Sequence, residues 1–297
     1  MKNNGNLQPV GVAFIIAFIF VAISYFCGCT SEKERTAKLK EMEIIRIPAD
    51  YESKPKPIVV AVIDTGFDFK SDWKAILKSY PTIKKPRLCK YGHKDFTGAG
   101  LIDNHGHGTH VAGLIAQFAK DANYCLVILK YYDPKIIVQD NLEQTRKSFE
   151  RAIALKVDII NYSGGGKDRS KEECSLIKEA LDSGIQVVAA AGNERKNINQ
   201  VPYYPAACDR RVQVVANVER NGEYANSSNF TDGKLNSMFL YTEMGVNVMS
   251  IAPNNQLNFM TGTSQAAAIK TGKDVFLMDK PLAIPTPKKK RTKLVVL

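Results

Sequence analysis

From Ile58 onward the chain alternates short apolar runs rich in β-branched residues with stretches whose apolar side chains recur at helical spacing. The segments are Ile58–Ile63, Val111–Phe118, Tyr124–Leu129, Leu142–Leu155, Val157–Tyr162, Leu176–Leu181, Ile185–Ala191 and Val212–Val218. A strand that is apolar at every position is buried on both faces, which happens when crossover helices cover each side of a sheet. The alternation therefore predicts an α/β domain of three layers, α/β/α, with a mainly parallel central sheet. In such folds chemistry gathers at the carboxyl ends of the strands. At 297 residues and 44% apolar content the chain can bury a core of this kind, and its 20 glycines and 13 prolines exclude a collagenous array.

The flanks have a different composition. Residues 10–26 carry no charge and only Lys2 is basic ahead of them, so residues 1–29 read as a signal peptide or a membrane anchor. Phe26-Cys27-Gly28-Cys29 resembles a bacterial lipoprotein cleavage box, with Phe26 and Cys27 in place of the usual Leu and small residue, which makes Cys29 a candidate lipidation site. Residues 30–56 are highly charged and read as a tether, and the folded domain is expected over 57–280. Five of the 41 Lys and Arg lie in the last ten residues, so much of the net charge of +11 belongs to a solvated, Pro-containing basic tail at 281–297. The charge is not read as a nucleic-acid surface. The leader implies an extracytoplasmic protein, membrane-anchored or secreted, in a compartment where thiols oxidise. There Cys89, Cys125, Cys174 and Cys208 allow three fully paired connectivities, with buried free thiols, Cys125 above all, as the alternative.

Three polar motifs stand at element ends. Ile58–Ile63 delivers Asp64, and Thr65-Gly66 turns the chain; alone, such an Asp is a turn or capping residue. Next, the stretch from Asp103 to Gly113 holds His105, His107 and His110, three of the four histidines, with His107 near the first turn of a predicted helix. Finally, Gly262-Thr263-Ser264, followed by Gln265 and three alanines, reads as a tight turn into a helix with Ser264 as its N-cap.

Taken together, Asp64-Thr65-Gly66, His107-Gly108-Thr109-His110-Val111-Ala112-Gly113 and Gly262-Thr263-Ser264 resemble the triad motifs of the subtilisin-like serine proteases, peptidase S8, in that family's chain order. The segment from Val187 to Glu194 resembles the one that supplies its oxyanion-hole amide, and the segment from Ile159 to Gly165 resembles its substrate-pairing strand. The resemblance runs from about Pro57 to Gly272. It implies a serine endopeptidase acting on extended polypeptide, with Asp64, His107 and Ser264 catalytic, Asn193 in the oxyanion hole, and Ser163, Gly164 and Gly165 along the substrate backbone. No cofactor is implied for catalysis; calcium stabilises many members, but no ligand set can be matched here residue by residue.

Two other readings compete. His105-x-His107-x-x-His110 also resembles the metal-binding cluster of the metallo-β-lactamase fold, which would make the protein a metal-dependent hydrolase. That site would be short of ligands, because Thr109 takes the acidic position and only His93 remains to add an imidazole. The second is a catalytically inactive, membrane-attached relative. The family follows its Ser with Pro-His-Val-Ala-Gly and a long apolar helix, whereas Lys270, Lys273 and Asp274 bring charge in at once. A buried unpaired lysine would loosen the core.

Overall fold

The structure, a computed structural model, describes residues 56–280 except 138–139 and 233–239. The expected leader with Cys29, almost all of the tether and the basic tail lie outside the described residues. The elements are β1 (Ile58–Asp64), α1 (Trp73–Ser79), β2 (Lys94–Asp95), α2 (His107–Ala119), β3 (Tyr124–Lys130), α3 (Asn141–Ala154) and β4 (Ile159–Tyr162), followed by α4 (Lys171–Asp182), β5 (Gln186–Ala190), β6 (Gln213–Asn217), β7 (Leu240–Glu243), β8 (Val248–Ala252), β9 (Gln256–Met260) and α5 (Thr263–Asp279). Seven strands form one sheet in the order β2-β3-β1-β4-β5-β6-β7, every pair parallel, and β8 and β9 make a separate antiparallel hairpin.

Alternate residues of β1 divide the core in two. Val60 and Val62 pack with Leu114 and Ile115 of α2 and with Ala267 and Ile269 of α5, while Ala61 and Ile63 pack with Phe149 of α3 and Ile177 of α4. The sheet is thus covered on both faces, as the unbroken apolar runs predict. Each large side chain buried this way contributes about 1.5–3 kcal/mol of transfer free energy. The chain lays β3 on one side of β1 and then returns to lay β4 on the other. The strand order therefore reverses at β1, the place where open α/β sheets leave a crevice.

The four cysteines of the domain form Cys89–Cys125 and Cys174–Cys208, with Cα–Cα separations of 4.8 and 4.9 Å. This is one of the three connectivities open from sequence, and it removes the free-thiol alternative for Cys125. On the chain-entropy account, closing loops of this length stabilises the fold by about 4 kcal/mol each.

The charges in α5 do not loosen it. Lys270 donates to both carboxylate oxygens of Asp274 and to Gln213 Oε1, each at 2.6 Å, and lies 4.2 Å from the Tyr241 ring centroid. Lys273 reaches Glu243 at 2.6 Å. Both ammonium groups leave the helix toward the β6–β7 edge, so the ground for an inactive relative with a damaged core helix falls away. Against α2 the same helix is closely packed: a Cβ on Gly272 would lie 2.6 Å from the Ile115 carbonyl oxygen and 2.7 Å from Phe118 Cβ. Helix propensity alone favours alanine over glycine by about 1 kcal/mol, whereas forcing the helices apart costs about 1–3 kcal/mol. Gly272→Ala is expected to lower the midpoint of thermal unfolding by several degrees; a midpoint that stays put or rises would show that the two helices can separate at no cost.

Candidate active site

β1 ends in Asp64, 2% exposed, whose Oδ1 accepts from the Thr65 backbone N–H and from His107 Nδ1–H, both at 2.8 Å. A carboxylate oxygen can only accept, so Nδ1 carries a proton and Nε2 is left as the ring's free lone pair in the neutral imidazole. Burial by itself would lower the pKa of His107; the charge and hydrogen bond of Asp64, with a smaller contribution from Asp103, outweigh it and leave the value raised.

His107 is the first residue of α2, and the first turn of that helix is held from outside. Its N-cap, Gly106, offers no side chain. Instead Asp103 Oδ1 accepts from the N–H groups of His105 and Gly106 and from the Thr65 hydroxyl, and Oδ2 accepts from the Thr109 N–H and hydroxyl, all between 2.7 and 3.0 Å. Thr65 Oγ1 in turn accepts from the Gly108 N–H at 2.9 Å. The Gly108 and Thr109 amides of the helix start are thus satisfied by Thr65 and Asp103. Behind them Lys130, fully buried at the end of β3, donates to Gly100 O, Ile102 O and Asp133 Oδ2 and so braces the loop that carries Asp103. Neither Asp103 nor Lys130 stood out as a site residue in the sequence. The available signal was an Asp just ahead of a helix start that has no capping side chain of its own.

Ser264 is not an N-cap. That position belongs to Gly262, and Ser264 sits in the first turn of α5, 8% exposed. Its hydroxyl donates to the Ser163 carbonyl at 2.9 Å, and the Ser163 hydroxyl donates to the Ser264 carbonyl at 3.3 Å. Asn193 Oδ1 accepts from the Thr263 N–H at 3.0 Å and from its hydroxyl at 3.2 Å, which fixes the orientation of the amide and makes Nδ2 its donor end. Ser163 directly follows Tyr162, which lies level with Ile63, the residue before Asp64. Asp64 thus ends β1, and Ser163, which holds the Ser264 hydroxyl, follows the end of the neighbouring β4, strands about 4.8 Å apart, while Asn193 lies three residues past β5, the next strand over.

The remaining histidines have other duties. His110 is fully buried, donates through Nε2 to the Asn258 carbonyl at 3.1 Å, and is pushed down to about 4 chiefly by burial. His93 uses both nitrogens on main chain, meeting Cys89 O through Nε2 and the Ile128 N–H through Nδ1, each at 2.9 Å. Among the described residues no group of three or more His, Cys, Asp or Glu is arranged to hold a metal ion. The histidine cluster is thus divided among separate tasks, which leaves the metal-hydrolase reading without a site among the described residues.

The model of the Subtilase family, Peptidase_S8, matches residues 56–280. The chain is 32% identical over 237 residues to the major intracellular serine protease of Bacillus subtilis (strain 168), covering 74% of this chain and 67% of that protein. It is 30% identical over 220 residues to the minor extracellular protease Epr of the same organism, covering 71% and 30%. The protease domain of PatA superimposes with a TM-score of 0.58 at 20% identity, covering 75% of this chain and 79% of that one, a likeness of fold.

The environment of Asp103 makes a test. Burial alone would raise its pKa, but the bonds from Thr109, Gly106 and Thr65 outweigh that and hold it below the usual carboxylate range. Its stabilising contribution is then full above the unfolded value of about 3.9 and is lost as the pH falls through the lower folded value. In Asp103→Asn the amide NH₂ faces backbone donors in either orientation, which should cost about 2–3 kcal/mol at pH 7. Urea unfolding is expected to show that loss at pH 7 and a shrinking difference from the parent below pH 4; a difference constant with pH would remove the charge from the argument.

Proposed function

The chain belongs to the subtilase family, and on that premise we propose that it is a serine endopeptidase that cleaves extended polypeptide with Asp64, His107 and Ser264 as its triad and Asn193 in its oxyanion hole. The observation that carries the reading is the 2.8 Å bond from His107 Nδ1 to the buried Asp64, made one strand away from the residue that holds the Ser264 hydroxyl.

An unassisted serine hydroxyl is a weak nucleophile at neutral pH. Rotation of Ser264 about χ1 takes its hydroxyl from the Ser163 carbonyl to His107 Nε2, which accepts the proton as Oγ bonds to the substrate carbonyl carbon. The imidazolium so formed is stabilised by Asp64, which keeps its own charge. The tetrahedral oxyanion accepts from Asn193 Nδ2 and from the Ser264 N–H, one of the amides a helix start leaves unpaired. One such donor is worth about 3 kcal/mol of barrier, and the positive end of the α5 dipole adds to it. His107 then gives its proton to the leaving amine, the C–N bond breaks, and water hydrolyses the acyl-serine by the same steps. Ser163, Gly164 and Gly165, just past β4, are assigned to main-chain pairing with the substrate.

We also place the domain outside the cytoplasm, attached through the N-terminal segment or lipidated at Cys29, or released. Two disulfides that use all four cysteines of the domain favour an oxidising compartment. Relatives of both intracellular and extracellular names match the chain, and among the described residues no helix is long and apolar enough to cross a membrane.

A fluorophosphonate probe is expected to label Ser264 in the parent and to fail in His107→Ala. Casein hydrolysis is expected to vanish in Ser264→Ala, and casein turnover undiminished in that variant would overturn the assignment of the nucleophile. Because only neutral His107 can accept the proton, its raised pKa should place the acid limb of kcat/KM above the ordinary histidine value of about 6.5. Asp64→Asn should move that limb down and lower kcat by roughly 10⁴.

A further inference from the structure

Past the ends of β4 and β5, which lie side by side with Tyr162 level with Ala189, the chain forms two segments that flank the start of α5. Ser163 bonds to Ser264 on one side, and the Gly192 N–H donates to Thr263 Oγ1 at 3.2 Å on the other. The crevice between them is filled by the ring of Tyr203. A Cβ on Gly165 would fall 2.5 Å from Tyr203 Cε1, and a Cβ on Gly192 would fall 2.9 Å from Cδ2. Those atoms are opposite corners of the ring, so Tyr203 spans the crevice edge to edge. Both glycines hold positive φ, 153° and 97°, and a side chain at either would compete for the space the ring occupies.

The main chain that carries the ring is fixed on both sides. Gly166 and Tyr204 exchange N–H···O bonds at 2.8 Å in both directions, and Tyr203 O accepts from the Ala207 N–H at 2.8 Å. The turn that follows is tied to α4 by Cys174–Cys208. Burial first and the charge of Glu194 second push the phenol up to about 12, so it stays neutral across the working range.

Under the proposed mechanism the attacked carbonyl lies at Ser264 with its oxygen toward Asn193, and the acyl-side main chain runs along Ser163–Gly165. The α-carbon of that residue is one bond from the attacked carbon, so its side chain projects between the two glycine segments, onto the ring. We propose that Tyr203 determines specificity by closing this crevice, restricting the residue on the acyl side of the cleaved bond to Gly, Ala or Ser. The inference rests on the triad reading and goes beyond it.

The test is kcat/KM on peptides that differ only at that residue (Gly, Ala, Ser, Leu or Phe), for the parent, Tyr203→Phe and Tyr203→Ala. Active sites are counted by fluorophosphonate labelling. The parent is expected to prefer Ala over Leu and Phe by about 10²-fold or more, the scale on which pocket shape discriminates. Tyr203→Phe keeps that ranking, because the ring remains, and Tyr203→Ala shifts the Phe-to-Ala ratio toward Phe by about 10²-fold. A parent that labels at Ser264 and cleaves after Phe or Leu as well as after Ala overturns the inference alone, whether or not the Ala variant folds. A labelled Tyr203→Ala with the parent's ranking does the same. A parent that is not labelled at Ser264 overturns the triad reading and this inference with it.

Discussion

Hydrogen bonds from β1 to β3 on one side and to β4 on the other keep Asp64 level with Lys130 and one residue beyond the level of Ile63 and Tyr162. Side chains alternate along a strand, so Asp64 shares a face with Val60 and Val62, the face covered by α2 and α5. Those are the helices whose first turns carry His107 and Ser264. Lys130 shares that face as well, which is how it reaches the loop ahead of His107. A slip of one residue in β1 would turn Asp64 toward α3 and α4 and separate it from everything it bonds to. The site is therefore a product of sheet register before it is a product of any local motif.

Holding the start of α2 rigid puts ions where ions are costly. Asp103 is 3% exposed, and Lys130 and Asp133 are both fully buried. Taking each such charge out of water costs several kcal/mol, recovered only if its donors and acceptors are met. Here they are: five bonds reach Asp103, and Lys130 makes three. A network satisfied to that degree has one arrangement and no near-degenerate alternatives. The gain is that His107 is presented to Asp64 in a single orientation, which a loop secured by apolar contacts alone would not ensure.

The layers, the parallel sheet, the strand end at Asp64 and the helix starts at His107 and beside Ser264 could be read from the sequence because each rests on local pattern. The roles of those residues and of Asn193 come from the family resemblance, and local pattern mistakes Ser264 for an N-cap. What escaped depends on partners far along the chain. The cost of Lys270 looked prohibitive because Gln213 and Tyr241 come from other strands and cannot be seen beside it in one dimension. The cysteine pairing was open because spacing does not encode which strand lies next to which. The three clustered histidines look alike in sequence; only packing makes His110 a buried neutral group against Asn258, sets the exposed His105 near Tyr132, and gives His107 a carboxylate. Tyr203 carried no motif at all, and the role proposed for it rests on Gly165 and Gly192, which the fold brings to opposite edges of its ring.

One contact joins the two halves of the proposed mechanism. The carbonyl that now accepts the Ser264 hydroxyl belongs to Ser163, the first residue of the segment assigned to the substrate backbone. A substrate strand laid along that segment brings its own carbonyl to Ser264 and crowds the hydroxyl out of the orientation it holds in the free protein. The other acceptor at this rim is His107 Nε2, kept unprotonated in the neutral ring because Nδ1 is committed to Asp64. On this reading, pairing of the substrate backbone and activation of the nucleophile are one event. The hydroxyl that rests on the main chain in the free protein is turned toward His107 when an extended peptide takes up Ser163–Gly165.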